Sequence, residues 1–531
     1  MRKSTASRLT GRGHAGGDRG LTRRDVLRAG TQAGAALLLG RGAGAQDKPS
    51  LVAAIGTPEP DAVAFVEPEV RASKGGLLDT SLHARFADNE IAGRPIRSRT
   101  FEGTLTGPTL KCRPGDVVRV LYVNELPPEP GTGHGAGLTH GLNPTNLHTH
   151  GLWVSPAGNS DNVLYELLPG RRFQHEYLIP REHVSGTFWY HPHRHGSVAP
   201  QVENGMSGAI VIAGGIDDLP EIRAAQERLL VLQQINDSAV TDRRARASSL
   251  LEIAGVNEKV TTVNGRHVPT LTLRPGEVQR WRIVAANSHD VLPLSLRPAQ
   301  LGTGAPPTLH EIACDGIPRK QVVEKKEIVL APGNRADVLV RAGAPGLYRL
   351  WKRGFPQIRF QQLPDPETIA WVRVAGEPTV MPLPASIPER YSHRDIAESE
   401  ITRPERKLVF SVSQNPLRFL INGKEFDPDR PDPVVSVGTA EQWRLENSSD
   451  AMHPFHIHVN PFQVVESSDP GLDTGVFKDT VPIPPVQDDG RNGYVVIRSR
   501  FERYIGRFVL HCHILGHEDA GMMLLVEIGM G

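Results

Sequence analysis

Ten of the 21 histidines fall into four tight groups. They are His148-Thr149-His150, His191-Pro192-His193, His453-Pro454-Phe455-His456-Ile457-His458, and His511-Cys512-His513 followed by His517. Side chains two apart on an extended strand share a face, so each His-x-His presents two imidazoles to one region. The four pairs offer eight imidazoles, too many for a single ion and a reasonable set for three. Cys512 points to the opposite face from His511 and His513 and therefore serves a separate metal, joined to the first site by a few covalent bonds. His453 and His517 are the odd members of their groups and complete that second site, with Met522 as a weak axial ligand. A trigonal His₂Cys set with a distant methionine is the blue-copper electron-transfer arrangement, and soft thiolate and thioether ligands select copper over harder metals.

A lone histidine is usually an ordinary hydrogen-bonded side chain. His83, His134, His140, His175, His183, His267, His289, His310 and His393 are read that way. His195 follows the second pair closely and stays outside the metal set, its role open. An internal comparison shows that the paired histidines mark a site. Gly186-Thr187-Phe188-Trp189-Tyr190-His191 aligns with Gly346-Leu347-Tyr348-Arg349-Leu350-Trp351 and with Gly506-Arg507-Phe508-Val509-Leu510-His511. Counted from the shared glycine, the middle copy has Trp351 and Arg353 where the first has His191 and His193. It keeps the scaffold and lacks the ligands.

A second pattern also occurs three times. Gly107-Pro108-Thr109-Leu110 leads through Arg113-Pro114-Gly115-Asp116 into the alternating run Val117–Asn124, and Val268-Pro269-Thr270-Leu271 leads through Arg274-Pro275-Gly276-Glu277 into Gln279–Val284. The third copy, weaker, runs from Val434 through Gly438 to Asn447. Asn124, Asn287 and Asn447 close the three copies. Each copy reads as strand, Pro/Gly turn and strand, which predicts three homologous β-sandwiches. Long helices are not required; 220–229 and 243–254 could each form a short one.

Length and composition agree. A chain of 531 residues suits about three domains. Its 53 glycines, 44 prolines and 5% aromatics favour short strands and turns. A formal net charge of +1 gives no reason to expect nucleic acid as a partner. Residues 1–45 read as a twin-arginine leader: Arg23-Arg24 precede a weakly apolar run from Ala29 to Gly40, and Ala43-Gly44-Ala45 offers small residues for cleavage before Gln46. That run is too short and too rich in Gly and Ala to span a membrane. Export to the periplasm or beyond is expected. Three cysteines do not make a disulfide scaffold, and Cys112 and Cys314 read as buried free thiols, the alternative being a bridge between domains.

Over residues 50–531 these motifs resemble the three-domain multicopper oxidases, the group of laccases, bilirubin oxidases and cuprous oxidases. The resemblance implies an all-β fold of three consecutive cupredoxin-like Greek-key β-sandwich domains, at 50–215, 225–375 and 405–531. It implies four copper ions. The type 1 ion would lie on His453, Cys512 and His517 with Met522 axial, and the type 2 ion on His148 and His456. The type 3 pair would take His150, His191 and His513, and His193, His458 and His511. Electrons from a reductant would enter at the type 1 copper and pass through Cys512 to His511 and His513, and dioxygen would be reduced to water. Glu518 stands where some members carry a proton-donating glutamate, and Asp161 stands near the position of the family's acidic residue. Their ordinary readings are a salt bridge and a turn cap.

The reductant is less legible. Seven methionines, with no cluster beyond Met522-Met523, weigh against a dedicated cuprous oxidase. An axial thioether lowers the type 1 potential and suits easily oxidised phenols. The expectation is a laccase-like phenol oxidase, working as a monomer on dioxygen and a small reductant after passing the twin-arginine export machinery. The alternatives are a periplasmic oxidase of cuprous or other metal ions, a non-enzymatic copper-binding protein of the same fold, and a copper nitrite reductase. The last needs only two domains and no trinuclear cluster, against four His-x-His motifs here.

Overall fold

The computed structural model describes residues 57–129, 141–236, 259–300 and 304–530. The leader expected at 1–45, the short helix expected at 243–254, and His134 and His140 lie outside the described residues. Six sheets pair into three sandwiches, each closed over its own apolar core. In the first, the strands Val70–Ala72, Thr109–Cys112, Gly208–Ile212, Gly186–His191 and His148–His150 lie side by side in that order. The third repeats the order with Pro431–Ser436, Met523–Gly529, Gly506–Cys512, His453–Ile457 and Thr480–Ile483. The middle sandwich does the same with Thr270–Leu273, Glu367–Val374, Gly346–Lys352, Leu292–Pro298 and Ile328–Leu330. Where the outer sandwiches set histidine opposite histidine on neighbouring strands, the middle one sets Ser295 opposite Trp351.

The repeated asparagines have a common use. The Asn124 amide donates to the carbonyls of Asn143 and Leu167, and that of Asn447 to the carbonyls of Ala451 and Ile483. Each pins the loop that enters a ligand strand, at His148 and at His453. The Asn287 amide makes the equivalent bond to the Asp290 carbonyl.

The short helix expected at 220–229 covers only the first half of that segment. Only Pro220–Ala224 is helical, and Gln226–Asn236 pairs with Val278–Ala285 and Lys259–Val263. Its continuous buried run from Leu229 onward suits a central strand covered on both faces. Cys112 and Cys314 are buried and unbridged, as expected. Among the described residues no helix is long and apolar enough to cross a membrane.

Candidate metal centre

Strand register builds the centre. His148 lies directly opposite His191 in the first sandwich, and His456 opposite His511 in the third. The two sandwiches meet edge to edge: His148 stacks on His458 and His150 on His456, each pair with ring centroids 3.8 Å apart. Ligand atoms of His150, His191 and His513 lie within 4.8 Å of one another, and so do those of His193, His458 and His511. His148, His150 and His456 form a further such group. All eight imidazoles are buried.

Outward ring nitrogens are held by the protein. Nδ1 of His148 lies 3.0 Å from both carboxylate oxygens of Asp161, which also accepts the Thr149 backbone N–H at 2.8 Å. Nδ1 of His191 faces the Pro192 carbonyl, and Nδ1 of His456 the Asp479 carbonyl, each at 2.8 Å. Nε2 of His150 faces the Asp479 carboxylate at 3.1 Å and the Thr480 hydroxyl at 3.2 Å. The inward nitrogens are Nε2 of His148, His191 and His456 and Nδ1 of His150, buried without a hydrogen-bond partner. Nε2 of His193 lies 3.1 Å from Nε2 of both His458 and His511. Buried polar atoms are nearly always partnered, so nitrogens converging in this way fit metal ions. Burial, reinforced by the neighbouring rings, holds His148, His150, His456, His458 and His513 well below the ordinary histidine value. Neutral imidazole is the ligating form.

The second group is His453, Cys512 and His517. Sγ of Cys512 is 3.5 Å from Nδ1 of His453 and 3.7 Å from Nδ1 of His517. Met522 is buried beside them; its N–H donates to the His517 carbonyl at 2.9 Å, and its carbonyl accepts the Cys512 N–H at 3.0 Å. Burial pushes the Cys512 thiol up and His453 down to about 3. A cation between them favours the thiolate, and one thiolate with two imidazoles suits copper.

The short helix Leu515–Asp519 carries His517 and Glu518. Glu518 lies 3.4 Å from Nδ1 of His193 and 3.1 Å from Nδ1 of His511, and burial pushes its carboxyl up to about 7. Burial raises Asp161 to about 7 as well, against the lowering bonds from Thr149. The next residue, Asp519, accepts the backbone N–H groups of Gly196, Val198 and Ala199, docking this helix on the start of the helix Val198–Glu203.

Each histidine read as a ligand, with Cys512, falls in one of these groups, and Glu518 and Asp161 touch them. His195 joins none; its ring packs on Phe426 at 5.0 Å. His83, His175, His183, His289 and His310 each have a hydrogen-bonding protein partner. The sequence reading missed Asp479, Thr480 and Arg335. The bond from Arg335 to Asp479 joins residues 144 positions apart and that from His150 to Thr480 residues 330 apart, and the Pro332-Gly333 turn before Arg335 looks like any other.

Comparisons with known proteins agree with this geometry. Multicopper oxidase family models match residues 88–215 and 399–530. The Staphylococcus aureus multicopper oxidase mco is 27% identical, covering 81% of this chain and 83% of its own. A laccase from Bacillus stratosphericus is 26% identical, covering 82% and 91%. Among solved structures, a Campylobacter jejuni multicopper oxidase described as a metallo-oxidase superposes with a TM-score of 0.69 at 22% identity, covering 89% of this chain and 98% of its own. The matched segments are the two sandwiches that hold every converging histidine, and the chain belongs to the multicopper oxidase family of oxidoreductases.

Proposed function

We propose that the chain is a four-copper, laccase-like enzyme that oxidises a phenolic reductant one electron at a time and reduces dioxygen to water. Its domains would run 50–215, 225–375 and 405–531. His453, Cys512 and His517 would hold the type 1 ion, with Met522 as a weak further ligand, and His148 and His456 the type 2 ion. His150, His191 and His513 would hold one type 3 ion, and His193, His458 and His511 the other. The observation that carries this reading is the convergence of buried inward ring nitrogens that no protein group partners. Copper bound there supplies one-electron redox chemistry and a place for dioxygen to react.

The residues around that site have separate tasks. Asp161 fixes the ring of His148 by its outward nitrogen. Cys512 links the two groups through its peptide neighbours His511 and His513. Burial raises the Glu518 carboxyl to about 7, so at neutral pH it can take up a proton beside His193 and His511 and deliver it to the cluster.

Apolar surroundings support a phenol over a hydrated metal ion. Phe419 stacks on His517 at 4.3 Å, and Met452, beside His453, packs with Val291, Ala331 and Phe355. Of these only Phe355 is partly exposed, and an aromatic reductant that docks there would meet apolar side chains. The Arg23-Arg24 segment supports export to the periplasm or beyond, and we take the enzyme to act as a monomer. Oxygen uptake by the copper-loaded protein, with a methoxyphenol and cuprous ion compared under matched conditions, tests the reading. Faster uptake with the phenol supports it; faster uptake with cuprous ion makes the enzyme a metallo-oxidase.

A further inference from the structure

The middle sandwich contributes no ligand, yet it reaches the trinuclear pocket. Arg335, at the start of the strand Arg335–Arg341, is fully buried, and each of its N–H donors has an acceptor. Two go to the carboxylate of Asp479 in the third sandwich, at 2.7 and 2.5 Å. The others go to the carbonyls of Thr187 in the first sandwich (3.2 Å) and of Gly333 and Asp315 in its own (3.0 and 2.7 Å). One guanidinium therefore ties all three sandwiches together.

Its partner Asp479 stands directly behind the ligands. The Asp479 carboxylate faces Nε2 of His150, and its carbonyl faces Nδ1 of His456. Thr480 Oγ1 lies 3.2 Å from the same nitrogen of His150 and 3.1 Å from that of His456. With acceptors on those outward nitrogens, His150 carries its proton on Nε2 and His456 on Nδ1. The unprotonated inward nitrogens are then Nδ1 of His150 and Nε2 of His456, the atoms that lack a protein partner.

The turn before Arg335 completes the wall. Asn334 donates to the Thr480 carbonyl at 2.9 Å and to Asp315, whose carboxylate accepts the Asp479 and Thr480 backbone N–H groups. Gly333 lies against the ligand rings with φ +89°, and a Cβ there would sit 3.0 Å from His150 and His513. On the other side, a Cβ at Gly151 would meet the Asp479 carboxylate at 2.3 Å, so a glycine there lets the loop close on the ion pair.

We propose that Arg335 is a positioning residue for the trinuclear site: its two-pronged grip on Asp479 fixes the ring orientation and tautomer of His150 and His456. The middle sandwich is thus the third wall of the metal pocket. This rests on the copper assignment above. A fork matters because a lysine keeps the charge but cannot make two parallel bonds.

The test is Arg335→Lys in the copper-loaded full chain, read by copper content, type 1 absorbance and the type 2 paramagnetic resonance spectrum. Outer-shell partners of ligands are worth about 10–100-fold in metal affinity. The variant should therefore lose type 2 and type 3 copper to a chelator at about tenfold lower concentration, or show shifted type 2 hyperfine splitting, while its blue absorbance persists. Unchanged resistance to the chelator together with an unchanged type 2 spectrum overturns the proposal. If Arg335→Lys does not fold, Asp479→Asn, of the same shape, is held to the same expected and overturning results. An unsubstituted protein that binds no type 2 or type 3 copper sinks the copper assignment itself, a result distinct from a failure of the Arg335 role.

Discussion

Oε2 of Glu518 lies 3.1 Å from Nδ1 of His511, which brings the residue next to His517 of one metal group against the back of a ring in the eight-histidine cluster. The carboxyl thus sits behind the ring, where it can exchange a proton without competing for the inward face.

Glu518→Gln keeps the shape and removes the exchangeable proton. A positioned acid is worth about 10²–10⁴-fold. Dioxygen reduction should slow by about 10²-fold, while anaerobic reduction of the type 1 copper by the phenol stays close to the original rate. Stopped-flow absorbance at the blue band separates the two half-reactions. Equal slowing of both would leave Glu518 no part in proton delivery.

Cys512→Ser removes the soft ligand from the His453–Cys512–His517 group. The blue colour and the phenol oxidase activity should vanish together. Bound copper should fall by one ion, because the histidines of the other groups are unchanged. Absorption spectroscopy with copper analysis checks this; a surviving blue band would show that the thiolate lies elsewhere.

Met522→Leu withdraws the thioether while filling similar space in a fully buried position. The type 1 potential should rise, since less electron density reaches the oxidised copper. Redox titration of the blue band measures it, and an unchanged or lower potential would rule out axial ligation.

Asp290 in the middle sandwich lies 3.3 Å from Nζ of Lys352 and 3.1 Å from Nδ1 of His289. Burial alone would raise its carboxyl, but Lys352, His289 and Lys259 hold it well below the ordinary carboxylate value. A folded value below the unfolded one gives stability that is complete above about pH 4 and is lost as pH falls toward the folded value. Asp290→Asn should cost about 3 kcal/mol at pH 7 and progressively less below pH 4. Urea unfolding across that range reads the difference, and a penalty independent of pH would place its origin outside the ion pair.

The metal groups were legible because strand period turns His-x-His into a shared face, and because Trp351 and Arg353 occupy the equivalent places in the middle copy. The repeat around Asn124, Asn287 and Asn447 announced the sandwiches, although nothing in it said that the asparagines pin the loops before His148 and His453. Arg335 and Asp479 stayed hidden for a physical reason. They are 144 residues apart, and an arginine after a Pro-Gly turn carries no local sign of its partner. The strand at Gln226–Asn236 was missed because its pairing partners, more than its own composition, decide its state.

The stacked pairs His148 with His458 and His150 with His456 each join residues about 300 positions apart, with the whole middle sandwich made in between. Domains fold in order as a chain is synthesised. The first sandwich therefore exists for a long interval with its four histidines in hand and no partner face. Under the copper assignment proposed above, loading of the eight-histidine cluster becomes a late event of maturation, available only to a chain whose outer sandwiches have both folded and docked. The His453–Cys512–His517 group needs the third sandwich alone. Under that assignment a full complement of copper would report complete folding, because a truncated or misdocked chain cannot bring the eight histidines together.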